Sequence, residues 1–210
     1  NDVLYNISST SIPNSLTTFI EESIASLDQI LDINFQRVYN STDATLKIIH
    51  TDMSEIPGMG TSSGAASQTY PNEYYDYNLD KWRANDVSLE VIIKDDWFYT
   101  SQGIYNYFQE HLVLHEIGHV LTLEHPFEDA DGDVYGTMYG ENAVTVSETQ
   151  MAYENNNLAY TKSYSSLDIK ALKEIWGENF APTNWDLSST SFNENIDSNS
   201  TIATLSARDE

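Results

Sequence analysis

The chain contains no cysteine. That removes disulfides and thiolate metal ligands together, so stability must come from the core, from metal ions held by other ligands, or from both. Basic residues are scarce: 9 Lys and Arg stand against 33 Asp and Glu, for a formal net charge of -24. This balance argues against nucleic-acid binding and against anionic membrane surfaces. No hydrophobic run reaches the roughly 20 residues that span a bilayer, so no membrane insertion is expected. The start at Asn1 shows no signal-peptide pattern, and the chain reads as a mature or trimmed form. What is present suits a packed domain: 210 residues, 40% hydrophobic, are enough for one sizeable core, with room for an appendage. The acidity has a bland reading, solubility, and a sharper one, calcium binding or a salty habitat.

After a short extended start, Pro13-Asn14-Ser15 opens a segment with apolar residues at Leu16, Phe19, Ile20, Ile24, Leu27, Ile30 and Leu31. That three-and-four spacing predicts an amphipathic helix. Two β-rich runs follow, Ile33 to Tyr39 and Thr45 to His50, and then a Gly/Ser/Thr-rich stretch from Pro57 to Thr69 unsuited to a long helix. Ser88 to Lys94, with β-branched residues at its centre, is the best strand candidate. A helix, then strands, then a helix over Ile104 to Leu121 make an α/β (α+β) layer the economical architecture. Ser165-Ser166-Leu167-Asp168 is a capping signal for a last helix that buries Leu172 and closes at Gly177. Pro182 marks a break beyond which Ser, Thr and Asn dominate, so residues 1–180 and 181–210 are expected to be separate modules.

The chemistry concentrates in His115-Glu116-Ile117-Gly118-His119, followed by His125-Pro126. Two histidines four residues apart on a helix are separated by about 400° of rotation and about 6 Å of rise, so both imidazoles leave one face within reach of one ion. His125 can join them only if the helix stops and the chain turns back, which Pro126 suits. Three neutral nitrogen ligands beside a carboxylic residue compose a catalytic zinc site, with Glu116 as general base. His111 lies one turn upstream, but positions 111 and 119 are about 12 Å apart along the axis, so His111, His115 and His119 cannot all serve one ion. His115 and His119 are preferred, because only that pair adjoins Glu116 and has His125 in reach. His111 is then a packed or hydrogen-bonding histidine, and His50 is read as structural.

Downstream, Asp129, Asp131 and Asp133 alternate and could converge on calcium in a turn. They do not form an EF-hand, since Gly132 comes one place early, Val134 takes the glycine position and Gly140 stands where a bidentate glutamate belongs. A solvated acidic loop is the competing reading.

His115-Glu116-Ile117-Gly118-His119 with His125-Pro126 resembles the zinc-binding consensus of metzincin metallopeptidases, and looks most like the serralysin and matrixin branch. The resemblance implies a mixed twisted sheet, a central active-site helix, a C-terminal helix and a methionine turn beneath the metal. Met151-Ala152-Tyr153 is similar to the family's Met-x-Tyr, with Met138 as a competing candidate. By the same resemblance Tyr153 is a metal-proximal tyrosine that stabilises an oxyanion, and Ser88 to Lys94 is the cleft-edge strand that pairs with substrate. The implied activity is a secreted or cell-surface zinc endopeptidase acting on proteins or peptides. The alternative is a calcium-dependent adhesion or binding module on a degenerate scaffold of the same kind. One departure stands out: the family has glycine three residues after the second histidine, and here that residue is Thr122. Either Thr122 carries a positive φ at a cost of about 1–3 kcal/mol, or the turn is built differently and a glutamate such as Glu141 or Glu148 replaces His125. The tail, with Asn193-Glu194-Asn195 and Asp209-Glu210, resembles the start of a cadherin-like repeat that would continue in a longer parent chain.

Overall fold

Every third or fourth residue of the first helical segment is apolar, and the computed structural model turns that stripe inward. Helix α1 (Asn14–Ile30) buries Leu16, Ile20, Ile24 and Leu27. The structure describes residues 2–8, 12–51, 64–69, 74–76, 81–83, 88–94, 104–129, 134–153, 160–180, 183–187, 201 and 204–208. Helix α1 connects β1 (Asp2–Ser8) to β2 (Asn34–Arg37), which pair in parallel. Parallel neighbours cannot be joined by a tight turn, so the helix is the crossover.

The sheet is completed by β3 (Leu46–Thr51), β4 (Gly64–Thr69) and β7 (Ser88–Lys94), in the order β2-β1-β3-β7-β4. The first four strands of that order run parallel and β4 alone is antiparallel to its neighbour. Cross-strand partners share a face. Tyr5, Leu46 and Leu89 are in register, as are Ile7, Ile48 and Val91, and these residues form or adjoin the hydrophobic core with α1 and the next helix. Two short antiparallel pairs stand apart in sequence, β5 (Tyr74–Asp76) with β6 (Lys81–Arg83), and β8 (Thr183–Leu187) with β9 (Leu205–Arg208).

The strand order corrects one expectation. Ser88 to Lys94 is a strand, but it is inside the sheet, with β3 on one side and β4 on the other. Its β-branched centre is what an inner strand needs, since Val91 and Ile93 are both fully buried. Among the described residues the edge belongs to β4, from the Gly/Ser/Thr-rich stretch.

Helix α2 (Ile104–Val120) packs on β4, β7 and α1. Residues 113–118 are all buried, as fits a helix walled on several sides. It ends where the sequence departs from glycine. Leu123 N–H bonds the carbonyl of Gly118 at 2.9 Å and Thr122 N–H that of His119 at 3.0 Å, the paired closure of a Schellman turn. Its left-handed residue is Thr122, with φ 71°, the only non-glycine residue at positive φ among the described residues.

Helix α3 (Ser166–Trp176) starts with the predicted capping box between Ser165 and Asp168 and ends at Gly177, φ 85°. Its two ends are tied to α2 and the turn that follows it: Tyr164 Oη, just before α3, donates to the Leu114 carbonyl at 2.7 Å, and Trp176 Nε1 donates to the Leu121 carbonyl, just past the end of α2, at 2.9 Å.

Candidate metal centre

Helix α2 places His115 and His119 on adjacent turns, and the Schellman turn at Thr122 reverses the chain so that His125 returns to them. The Nε2 atom of His125 lies 3.1 Å from that of His115 and 3.1 Å from that of His119. All three ligand atoms fall within 4.8 Å of one another. Around a tetrahedral ion with bonds of about 2.0–2.1 Å, ligand nitrogens stand about 3.3 Å apart, so the spacing fits a metal.

The opposite ring nitrogens settle which tautomer is present. His115 Nδ1 donates to the carbonyl of Gln150 at 2.8 Å, His119 Nδ1 to the carbonyl of Leu123 at 2.9 Å, and His125 Nδ1 to the carboxylate of Glu128 at 2.7 Å. With each Nδ1 carrying the proton, three Nε2 lone pairs face one another with no hydrogen between them. A cation is what this arrangement accepts. Burial and the neighbouring histidines keep two of these imidazoles neutral: burial lowers His115 to about 3 and also lowers His119.

Glu116 is buried, and desolvation raises its carboxyl to about 7. A Cβ added to Gly64, the first residue of β4, would come within 2.9 Å of Glu116 Oε1 and 3.0 Å of Leu112. The strand therefore approaches the carboxylate closely only because residue 64 has no side chain. Met151 is buried beneath the helix, and a Cβ on Gly118 would lie 2.6 Å from its sulfur. Met138 is only partly buried and lines none of these contacts. Tyr153 packs its ring on His115 and His125, with centroids 5.6 and 4.6 Å away, and burial and the Glu116 charge push its phenol up.

His111 takes no place among the converging nitrogens. It is buried one turn away against Tyr160, with centroids 4.9 Å apart, and burial lowers it to about 4. His111, Phe108, Leu112, Ala152, Tyr153 and Tyr160 line a cavity of ≈ 300 Å³ that reaches His115 and Glu116. A second cavity of ≈ 490 Å³ lies against His125, Pro126 and Met151. The two glutamates weighed as substitutes for His125 are elsewhere: Glu148 accepts from Thr145 N and Oγ1, both at 2.9 Å, and Glu141 is exposed. Among the calcium candidates Asp129 is exposed, while Asp131 and Asp133 lie outside the described residues, as does most of the 181–210 tail.

Gln150, Leu123, Glu128 and Gly64 were not singled out in the sequence. The first two act through main-chain carbonyls, which any residue supplies, so no side-chain signal marks them. Glu128 had one: it follows His125-Pro126 by the spacing of a single turn.

No family model matches the chain, and no curated protein matches it. Among solved structures it is similar to that of myroilysin, at 13% identity and a TM-score of 0.45, over 86% of this chain and 94% of that one.

Proposed function

We propose that this chain is a zinc-dependent endopeptidase of the metzincin type, with residues 1–180 as its catalytic domain, acting on proteins or peptides outside the cell. The observation that carries this is the convergence of three proton-free Nε2 atoms beside a buried carboxylate. His115, His119 and His125 would hold a zinc ion, which when bound would supply a Lewis acid and lower the pKa of a water bound to it towards 7. Glu116, with a carboxyl held near 7 by burial, takes up the proton released when water attacks the peptide carbonyl and returns it to the leaving amine. Tyr153 stabilises the oxygen anion that develops. Met151 is an apolar support under the ligand helix. An extended substrate adds along β4, whose outer side has no strand partner among the described residues. Calcium at Asp129, Asp131 and Asp133, and a cadherin-like module beginning in 181–210, extend the same reading.

The test combines metal analysis with casein cleavage. Wild type is expected to hold stoichiometric zinc and cleave, and Glu116→Ala to hold the same zinc without cleaving. Cleavage unaffected by Glu116→Ala sinks the assignment of the base. Wild type with neither zinc nor cleavage favours a binding module on this scaffold.

A further inference from the structure

The three histidines differ in what holds them. His115 and His119 are on α2, and their Nδ1 atoms donate to main-chain carbonyls that no substitution deletes. His125 lies beyond the helix on a turn, and its Nδ1 partner is a side chain. The segment His125-Pro126-Phe127-Glu128 closes on itself: Glu128 N–H bonds the carbonyl of His125 at 3.1 Å, and Pro126 sits at the turn position whose φ proline presets. Closure carries the Glu128 carboxylate back over the start of the turn. One oxygen accepts from His125 Nδ1 at 2.7 Å, and the other faces the His125 main-chain N–H at 3.4 Å. Phe127 lies flat on the imidazole, with centroids 5.0 Å apart and planes 7° from parallel. The base of the turn is anchored in turn, since Tyr135 and Gly136 N–H both bond the Pro126 carbonyl, at 3.0 and 2.9 Å.

We propose, on the zinc reading above, that Glu128 is a positioning residue for the metal. It fixes the tautomer and rotamer of His125 before any ion arrives, and its negative charge strengthens Nε2 as a donor to a divalent cation. A ligand on a loop has more rotamer freedom to lose than one on a buried helix, so the third ligand is where a carboxylate matters most.

The experiment is zinc competition against a chromophoric chelator, run on wild type, Glu128→Ala, Glu128→Gln and Glu124→Ala. Glu124 is exposed and adjoins His125 in sequence without bonding its ring, so it controls for local charge. Glu128→Ala is expected to weaken zinc about 10- to 100-fold. Glu128→Gln keeps an acceptor for Nδ1–H and should recover part of that loss, while Glu124→Ala stays within about 2-fold of wild type. In nitrogen-15 spectra of the metal-free protein, the His125 signals should report a protonated Nδ1 in wild type and a tautomer mixture in Glu128→Ala. Wild-type affinity in Glu128→Ala overturns the role of Glu128 and leaves the zinc reading intact. Equal losses in Glu124→Ala and Glu128→Ala overturn it as well, because the effect is then general charge. A wild type that binds no zinc overturns the zinc reading itself, and with it this role. If Glu128→Ala does not fold, Glu128→Gln decides by the same comparison.

Discussion

Asp168 holds the main chain of Gln150: its Oδ2 accepts the Gln150 N–H at 3.0 Å, and the carbonyl of the same Gln150 accepts Nδ1–H of His115 at 2.8 Å. The first residues of α3 and the first metal-ligand candidate are thus two hydrogen bonds apart. Asp168 also accepts from Ser165 N at 2.8 Å, closing the capping box, and from the hydroxyl of Thr149. Asp168→Ala leaves those donors without this acceptor in a buried place. We expect a loss of about 2–4 kcal/mol in urea unfolding of the metal-free protein, together with weaker zinc binding. A loss under about 1 kcal/mol would show that the junction reorganises freely.

Thr122 occupies a left-handed position suited to glycine, and it is exposed, so its side chain is not needed for packing. It retains one local compensation, a hydrogen bond from Oγ1 to the Leu121 carbonyl at 2.6 Å. Thr122→Gly removes the strain at the cost of more backbone freedom in the unfolded chain, and should raise stability by about 1 kcal/mol in denaturant unfolding. Thr122→Val keeps the branching and loses the hydroxyl, and should lower it. A less stable glycine variant would mean that the hydroxyl outweighs the strain.

Gly64 is expected to separate catalysis from metal binding. In Gly64→Ala the new methyl meets Glu116 Oε1 and Leu112, so the carboxylate must shift while the histidines need not. We expect kcat to fall about 10-fold or more with zinc content unchanged. Loss of zinc along with activity would instead point to a wider displacement of α2.

Glu116 makes a pH-dependent contribution that a glutamine cannot. Burial raises its carboxyl from 4.5 to about 7, so between those values the folded chain keeps a proton that the unfolded chain has released. Stability of the metal-free protein from this group therefore falls as pH rises through that window; the cost is absent below 4.5 and complete above 7. Glu116→Gln should match wild type near pH 4.5 and exceed it by about 1–3 kcal/mol at pH 8. His111 and His115 act in the opposite direction, because their lowered values make stability fall as pH drops below 6.5. They are common to both proteins and cancel in the difference, which thermal or urea unfolding across the range measures.

Much of the site was legible before the structure because it is written in local spacing. Residues four apart on a helix share a face whatever surrounds them, which pairs His115 with His119, while the rise of about 12 Å from position 111 to 119 keeps all three helical histidines from serving one ion. The capping box at Ser165 and Asp168 and the buried stripe of α1 were legible for the same reason, while the conflict at Thr122 was legible only through the family resemblance, which places glycine there.

Tertiary structure decided what local spacing does not encode. Strand order depends on which chain segment crosses to which neighbour, and so Ser88 to Lys94, which has the composition of any good strand, proved to be inside the sheet with β4 at its edge. The partners of the ring nitrogens come from carbonyls 35 residues away in one case and 4 in another, and a carbonyl leaves no mark in the sequence. The closeness of Gly64 to Glu116 arises where a strand and a helix meet. The amino-acid order by itself therefore determined which side chains could serve as ligands and base, while only the packed chain determined which nitrogen of each imidazole is free to bind, because that depends on where the acceptors for Nδ1, the carbonyls of Gln150 and Leu123 and the carboxylate of Glu128, come to rest.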